Sequence, residues 1–169
     1  MQPISSATFA VLIVGVFVAT VVDIKTRRIP NLVTAAMAGA GLGLAAFGFG
    51  GISLVAAALG LVLGLALMLP GHVLGATGAG DVKLMAAIGS LVGPGLVIKA
   101  FLFTAIAGGV LAVIVAMRRR RLAVTFAGTA KLIATPADAR SELKAATPSN
   151  RFAYGPAIAI GSIIAVLLG

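Results

Sequence analysis

Long stretches without a charged side chain alternate with short polar punctuation along this chain. No Asp, Glu, Lys or Arg precedes Asp23, and none lies between Ile29 and Gly80. A membrane-spanning helix needs about 20 mainly apolar residues. The pattern therefore predicts a first span over Ile4–Val22, followed by a polar loop from Asp23 to Asn31. Two further spans follow, near Leu32–Phe47 and Ile52–Leu69, divided by Gly48-Phe49-Gly50-Gly51. Pro70-Gly71-His72 is expected to end the third span, and the glycine-rich stretch Gly75–Gly80 to form a flexible loop. After Asp81 and Lys83 the apolar pattern resumes. Gly93-Pro94-Gly95 predicts a turn between a short fourth helix and a fifth near Leu96–Met117. Arg118–Arg121 stop the fifth. Residues 122–151 are polar, and Phe152–Leu168 predicts a sixth span.

Composition agrees with that pattern. Of the 169 residues 60% are hydrophobic and only 10% charged, and mean hydropathy is +1.17. A water-soluble domain carries about a quarter charged residues, so the apolar excess here must face lipid. The formal net charge of +9 would suggest a nucleic-acid partner in a soluble protein. Here the cations fall between hydrophobic stretches, which favours cytoplasmic loops obeying the positive-inside rule over any nucleic-acid surface. Six alternating spans place Lys25, Arg27, Arg28, Lys83, the arginine run, Lys131, Arg140, Lys144 and Arg151 on the cytoplasmic side, leaving only Lys99 outside. The expected fold is thus all-α and polytopic, with about six transmembrane helices and both termini on the non-cytoplasmic side. The N-terminal apolar stretch lacks a positive leader region and is expected to be a retained first span. Anionic lipid is the expected partner of the basic loops. Gly39/Gly43 and Gly60/Gly64 have the spacing of small-residue faces through which membrane helices approach closely.

The absence of cysteine excludes disulfides, thiolate zinc sites and a cysteine nucleophile. With one histidine, no metal site and no cofactor are expected. Four residues are acidic. Asp138 and Glu142 lie in the basic polar segment, where solvated charge is the plain explanation. Asp23 and Asp81 each sit at the cytoplasmic edge of a span, where an acidic residue is costly and tends to mark function. Taken singly, Asp23 is equally explained by pairing with Lys25 or Arg27, and Asp81 by capping the helix that begins at Val82. Taken together, two carboxylates from separate helices facing one compartment can share one proton and hydrolyse a peptide bond, one as base towards water and the other as acid towards the carbonyl oxygen. Gly78 and Gly80 would let a substrate backbone approach Asp81. His72, alone in a loop, is expected to be neither proton shuttle nor ligand.

Gly78-Ala79-Gly80-Asp81-Val82-Lys83 resembles the G-x-G-D-x-K motif of type IV prepilin peptidases, which are intramembrane aspartyl proteases. Asp23 followed by Ile29-Pro30-Asn31 is similar to that family's other aspartate motif. Phe152-Ala153-Tyr154-Gly155-Pro156 resembles its final-helix P-[FY]-G-P signature, with Ala153 where proline is usual. The resemblance implies a single membrane-embedded peptidase domain over residues 1–169, with a basic cytoplasmic loop at 118–151. It implies Asp23 and Asp81 as the catalytic pair, and Gly78, Gly80, Lys83, Pro30 and Asn31 as substrate-binding or motif residues. The implied reaction is removal of a short leader from type IV prepilins at the cytoplasmic side of the inner membrane. Larger members carry a cysteine-bearing zinc insert and methylate the new N-terminus. This chain has neither the cysteines nor the insert, and is similar to the minimal form used for Flp (tight-adherence) pili. A proton-coupled carrier and a non-catalytic subunit of a pilus machine are the alternatives. The carrier predicts carboxylates nearer mid-span, and the subunit predicts tolerance of amide substitutions at Asp23 and Asp81.

Overall fold

The computed structural model describes residues 4–118 and 154–169. Within them the chain is all-α: α1 (Ser6–Thr26), α2 (Asn31–Ala46), α3 (Leu54–Val73), α4 (Ala79–Arg118) and α5 (Gly155–Leu167). Three of these, Ser6–Thr26, Leu54–Val73 and Ala79–Ile114, are long and apolar enough to cross a membrane, while α2 and α5 are shorter apolar helices. Much of the outer surface is hydrocarbon, with Leu32, Phe47, Val55 and Phe17 all more than 60% exposed. A soluble protein seldom shows so extended an apolar surface. With the composition, it identifies a membrane protein.

α4 is broken by one residue. Gly93 takes φ 78° and ψ 178°, a backbone state open in practice only to glycine. Its arms, residues 79–92 (α4a) and 94–118 (α4b), run in opposite directions. An unbroken helix would carry Gly108 roughly 40 Å beyond Asp81 at about 1.5 Å per residue. Instead Gly108 lies against Tyr154, whose phenol is close enough to Asp81 to feel its charge. The turn expected at Gly93-Pro94-Gly95 is therefore present, but without a loop. Pro94, at the first position of the new helix, needs no backbone N–H there.

Paired close approaches fix the remaining directions. Gly60 meets Gly89 and Gly64 meets Met85, so α3 and α4a are antiparallel. Ile29 meets Gly80 and Gly41 meets Ser90, so α2 runs parallel to α4a. Tyr154 meets Gly108 and Gly161 meets Thr104, so α5 is antiparallel to α4b. The α4a arm is the centre of the bundle, with every residue from Leu84 to Val92 buried. Lys25, Arg27, Arg28 and Lys83 gather at the end where α1 finishes and α4a begins. Lys99, just past the Gly93 turn, lies towards the other.

Several sequence expectations shift. α1 does not stop at Val22 but runs through Asp23 to Thr26, ending where Arg27 takes the left-handed conformation (φ 53°) and donates its N–H to the Asp23 carbonyl at 2.7 Å. Asp23 is thus a helical residue, not a loop residue. Pro70 does not end α3, which continues to Val73; His72 then closes the turn, its Nδ1 donating to the Thr77 carbonyl at 3.1 Å. The expected loop at Gly75–Gly80 is shorter, because α4 has already begun at Ala79. The basic segment 118–151 lies, from residue 119 onward, outside the described residues.

The two glycine pairs prove unlike. A Cβ on Gly60 would strike the Gly89 carbonyl, and one on Gly64 the Met85 carbonyl, whereas Gly39 and Gly43 face open space. Because lipid supplies no hydrophobic drive between helices, such backbone contact is a main source of their association. Gly60→Ala is expected to destabilise the protein by about 1–3 kcal/mol through overpacking. Gly43→Ala is expected to be neutral, or to stabilise by up to about 1 kcal/mol through helix propensity. Unfolding in detergent reads both. Gly93→Ala, forcing a side chain into a glycine-only conformation, is expected to cost about 1–3 kcal/mol by the same measurement.

Candidate active site

Asp23 reaches the interior because of its register on α1. The buried residues Leu12, Val16, Ala19 and Asp23 follow one another at intervals of three or four, which is one face of a helix. The carboxylate therefore continues the packed stripe and is only 5% exposed. A buried carboxylate needs donors. The backbone N–H of Gly155, at the first turn of α5, donates to Asp23 Oδ2 at 2.9 Å. That is also the positive end of the α5 dipole, the preferred position for an anion.

Asp81 is held by different local chemistry. It lies in the first turn of α4 and is 8% exposed. Its Oδ2 accepts the backbone N–H of Gly78 at 2.8 Å. This is the back-reaching half of a capping box: an acidic side chain three residues into the helix satisfies the amide that precedes it. So Asp81 does cap its helix, but from inside the first turn rather than from the N-cap position. Gly80 owes its lack of a side chain to packing, since a Cβ there would lie 2.9 Å from the Ile29 Cβ. The face of Gly80 reserved by the sequence reading for a substrate backbone is occupied by the 29–30 corner. At Gly78 a Cβ would instead crowd Asp81 Oδ2 at 3.1 Å.

The motif residues around the aspartates join their two helices. Pro30 is the N-cap of α2, and its carbonyl accepts from Val33 and Thr34. Asn31, the first residue of α2, accepts at Oδ1 from Lys83 Nζ at 2.9 Å. Lys83 thus ties the start of α2, which follows Asp23 by one short corner, to the helix bearing Asp81. Both partners are exposed, so this bond sets register more than it adds stability.

Tyr154 and Gly155 belong to the final-helix signature in the sequence, which by itself assigned them no role at the site. They bring the two aspartates into one neighbourhood. Gly155 touches Asp23, and the phenol of Tyr154, the residue before it, lies within the electrostatic reach of Asp81. The Tyr154 ring fills a notch left by Gly108, where a Cβ would stand 2.6 Å from the phenol oxygen. The signal for them was that signature, in which Tyr154, the chain's sole tyrosine, stands directly before Gly-Pro at the start of an apolar helix. Among the described residues no three of the His, Asp and Glu side chains cluster as a metal site would require. Two carboxylates from α1 and α4, buried at one end of a helical bundle and each anchored by a backbone amide, are a constellation fit for acid–base hydrolysis.

No curated protein and no solved structure matches the chain. A family model does, over residues 10–113, a stretch that contains both aspartates and the whole of α2 and α3: that of the type IV leader peptidase family. The chain therefore belongs to the type IV leader peptidase family, the aspartic-type proteases that act as prepilin peptidases.

Proposed function

We propose that this protein is a membrane aspartyl endopeptidase that removes the short leader of a type IV, Flp-like prepilin, with Asp23 and Asp81 as its catalytic pair. The observation that supports the reading is that two buried carboxylates from different helices lie at the same end of the bundle, Asp23 against Gly155 and Asp81 within electrostatic reach of Tyr154. In the proposed reaction the pair holds one proton between its two carboxyl groups. The ionised member takes a proton from water, the resulting nucleophile attacks the scissile carbonyl, and the protonated member donates to the carbonyl oxygen. The roles of base and acid are assigned to the pair rather than to either residue. Lys83, Asn31 and Pro30 serve by holding the aspartate-bearing elements together.

The proposed setting is the cell (inner) membrane, with the whole chain as one membrane-embedded peptidase unit. Six helical segments of alternating direction would then act as six spans, with both termini outside. The support is the positive-inside rule: Lys25, Arg27, Arg28 and Lys83 lie at the aspartate end, which puts the site at the cytoplasmic face, where the basic loop would meet anionic lipid. The partner is the membrane-anchored prepilin, presenting its leader junction at that face.

Co-expression with an Flp-type prepilin in a host lacking its own peptidase tests the reading. Wild type is expected to shorten the pilin. Asp23→Asn and Asp81→Asn, present in the membrane at normal levels, are each expected to lower cleavage by at least about 10³-fold, as loss of an essential acid–base member does. Wild-type rates in either variant would exclude the paired-aspartate mechanism. Intact pilin with every candidate substrate would favour a carrier or scaffold.

A further inference from the structure

Gly155 differs from the glycines that draw α3 onto α4a. Elsewhere, at Gly60, Gly64 and Gly89, the missing Cβ makes room for a neighbouring backbone. At Gly155 it makes room for one side chain, that of Asp23: a Cβ there would stand 2.9 Å from Oδ2, 3.1 Å from the Asp23 Cβ and 3.3 Å from Cγ. The same residue donates its backbone N–H to that oxygen at 2.9 Å. Gly155 is fully packed, at the first turn of α5, and Pro156 follows it. Its position is fixed from the other side by Tyr154, whose ring is seated in the Gly108 notch of α4b. An amide held on two sides thus meets one carboxylate oxygen, with no slack between them.

We propose that Gly155 is a positioning residue of the aspartate pair, its amide and its missing side chain together fixing where the Asp23 carboxylate stands. The proposal rests on the reading that Asp23 does the chemistry, and goes beyond it by placing a third helix, α5, in control of the dyad. Gly155 touches neither water nor substrate in this scheme; it acts through Asp23. A methyl group added at Gly155 pushes the carboxylate off its amide, and displacements of about 1 Å at a reacting group can cost on the order of 100-fold in rate.

The test has two arms. In the first, purified wild type, Gly155→Ala and Gly161→Ala are compared in cleavage of a prepilin. Gly161 is the control: it lies on the same helix, and its added Cβ would crowd Thr104 rather than an aspartate. Gly155→Ala is expected to lower kcat by about 10- to 100-fold with KM within about twofold of wild type, while Gly161→Ala keeps its kcat per folded molecule. Equal loss of kcat in both variants, or a wild-type kcat in Gly155→Ala, would overturn the proposal. The second arm needs no substrate. Melting temperatures in detergent are measured for wild type, Gly155→Ala, Asp23→Ala and the double variant. The drop caused by Gly155→Ala is expected to shrink by at least half once Asp23→Ala has removed the atoms it strikes. Additive drops would show that Gly155 packs against the bundle at large, and would overturn the proposal even if the single variant folds poorly. Failure of the parent reading shows separately, as a fully active Asp23→Asn enzyme; it overturns this proposal too, since a carboxylate without chemistry needs no positioning.

Discussion

Two carboxylates inside an apolar bundle are the constraint around which the rest of this structure is arranged. Leaving a carboxylate buried without partners costs several kcal/mol or more, and lipid offers no water as a substitute. Backbone amides meet part of that demand. Gly78 donates to Asp81 from three residues upstream, and Gly155 donates to Asp23 from the far end of the chain. A hydrogen bond to a charged group contributes about 1.5–3 kcal/mol, enough to offset much of the cost.

Bringing backbone that close requires small residues, which explains the positions of several glycines. Gly80 lets the Ile29–Pro30 corner rest against the first turn of α4, and Gly155 lets the start of α5 rest against Asp23. Gly60, Gly64 and Gly89 draw α3 onto α4a, so that the helix beginning with Asp81 is held along its length. Two buried serines bond back along their own helices, Ser90 to the Ala87 carbonyl and Ser162 to the Ile158 carbonyl, each at 2.7 Å, while Thr8 donates to the Gly50 carbonyl at 3.0 Å. The two serines thereby need no partner from a neighbouring helix. At Gly155 packing and polar satisfaction are solved together, by one close approach.

The Gly93 turn links this packing to the site. By reversing the chain in one residue it sends α4b back along the bundle to the aspartate end, where Gly108 offers the notch that Tyr154 fills. Without the reversal, α5 would have no helix to dock against at the level of Asp81, and Gly155 would not be presented to Asp23. A backbone event at one end of the bundle thus determines the geometry at the other.

Much of this was legible in the order of residues. Charge-free stretches of spanning length determined an all-α membrane protein, because only lipid tolerates so little polar surface. The Asp23 and Asp81 motifs pointed to paired-carboxylate chemistry, and Gly93-Pro94-Gly95 to a reversal. The helix limits near the site were less legible. Asp23 looked like a loop residue because it is charged; in the folded chain its register on the Leu12–Val16–Ala19 face, together with the Gly155 amide, makes burial on a helix affordable. Tertiary structure alone decided that Gly39 and Gly43 face open space while Gly60 and Gly64 face backbone, since identical spacing says nothing about which face meets a neighbour. It alone paired Gly155 with Asp23, 132 positions apart. A hydrogen bond from a backbone amide leaves no mark in side-chain identity, so sequence carries the demand of each aspartate for a donor, and only the fold determines which donor meets it.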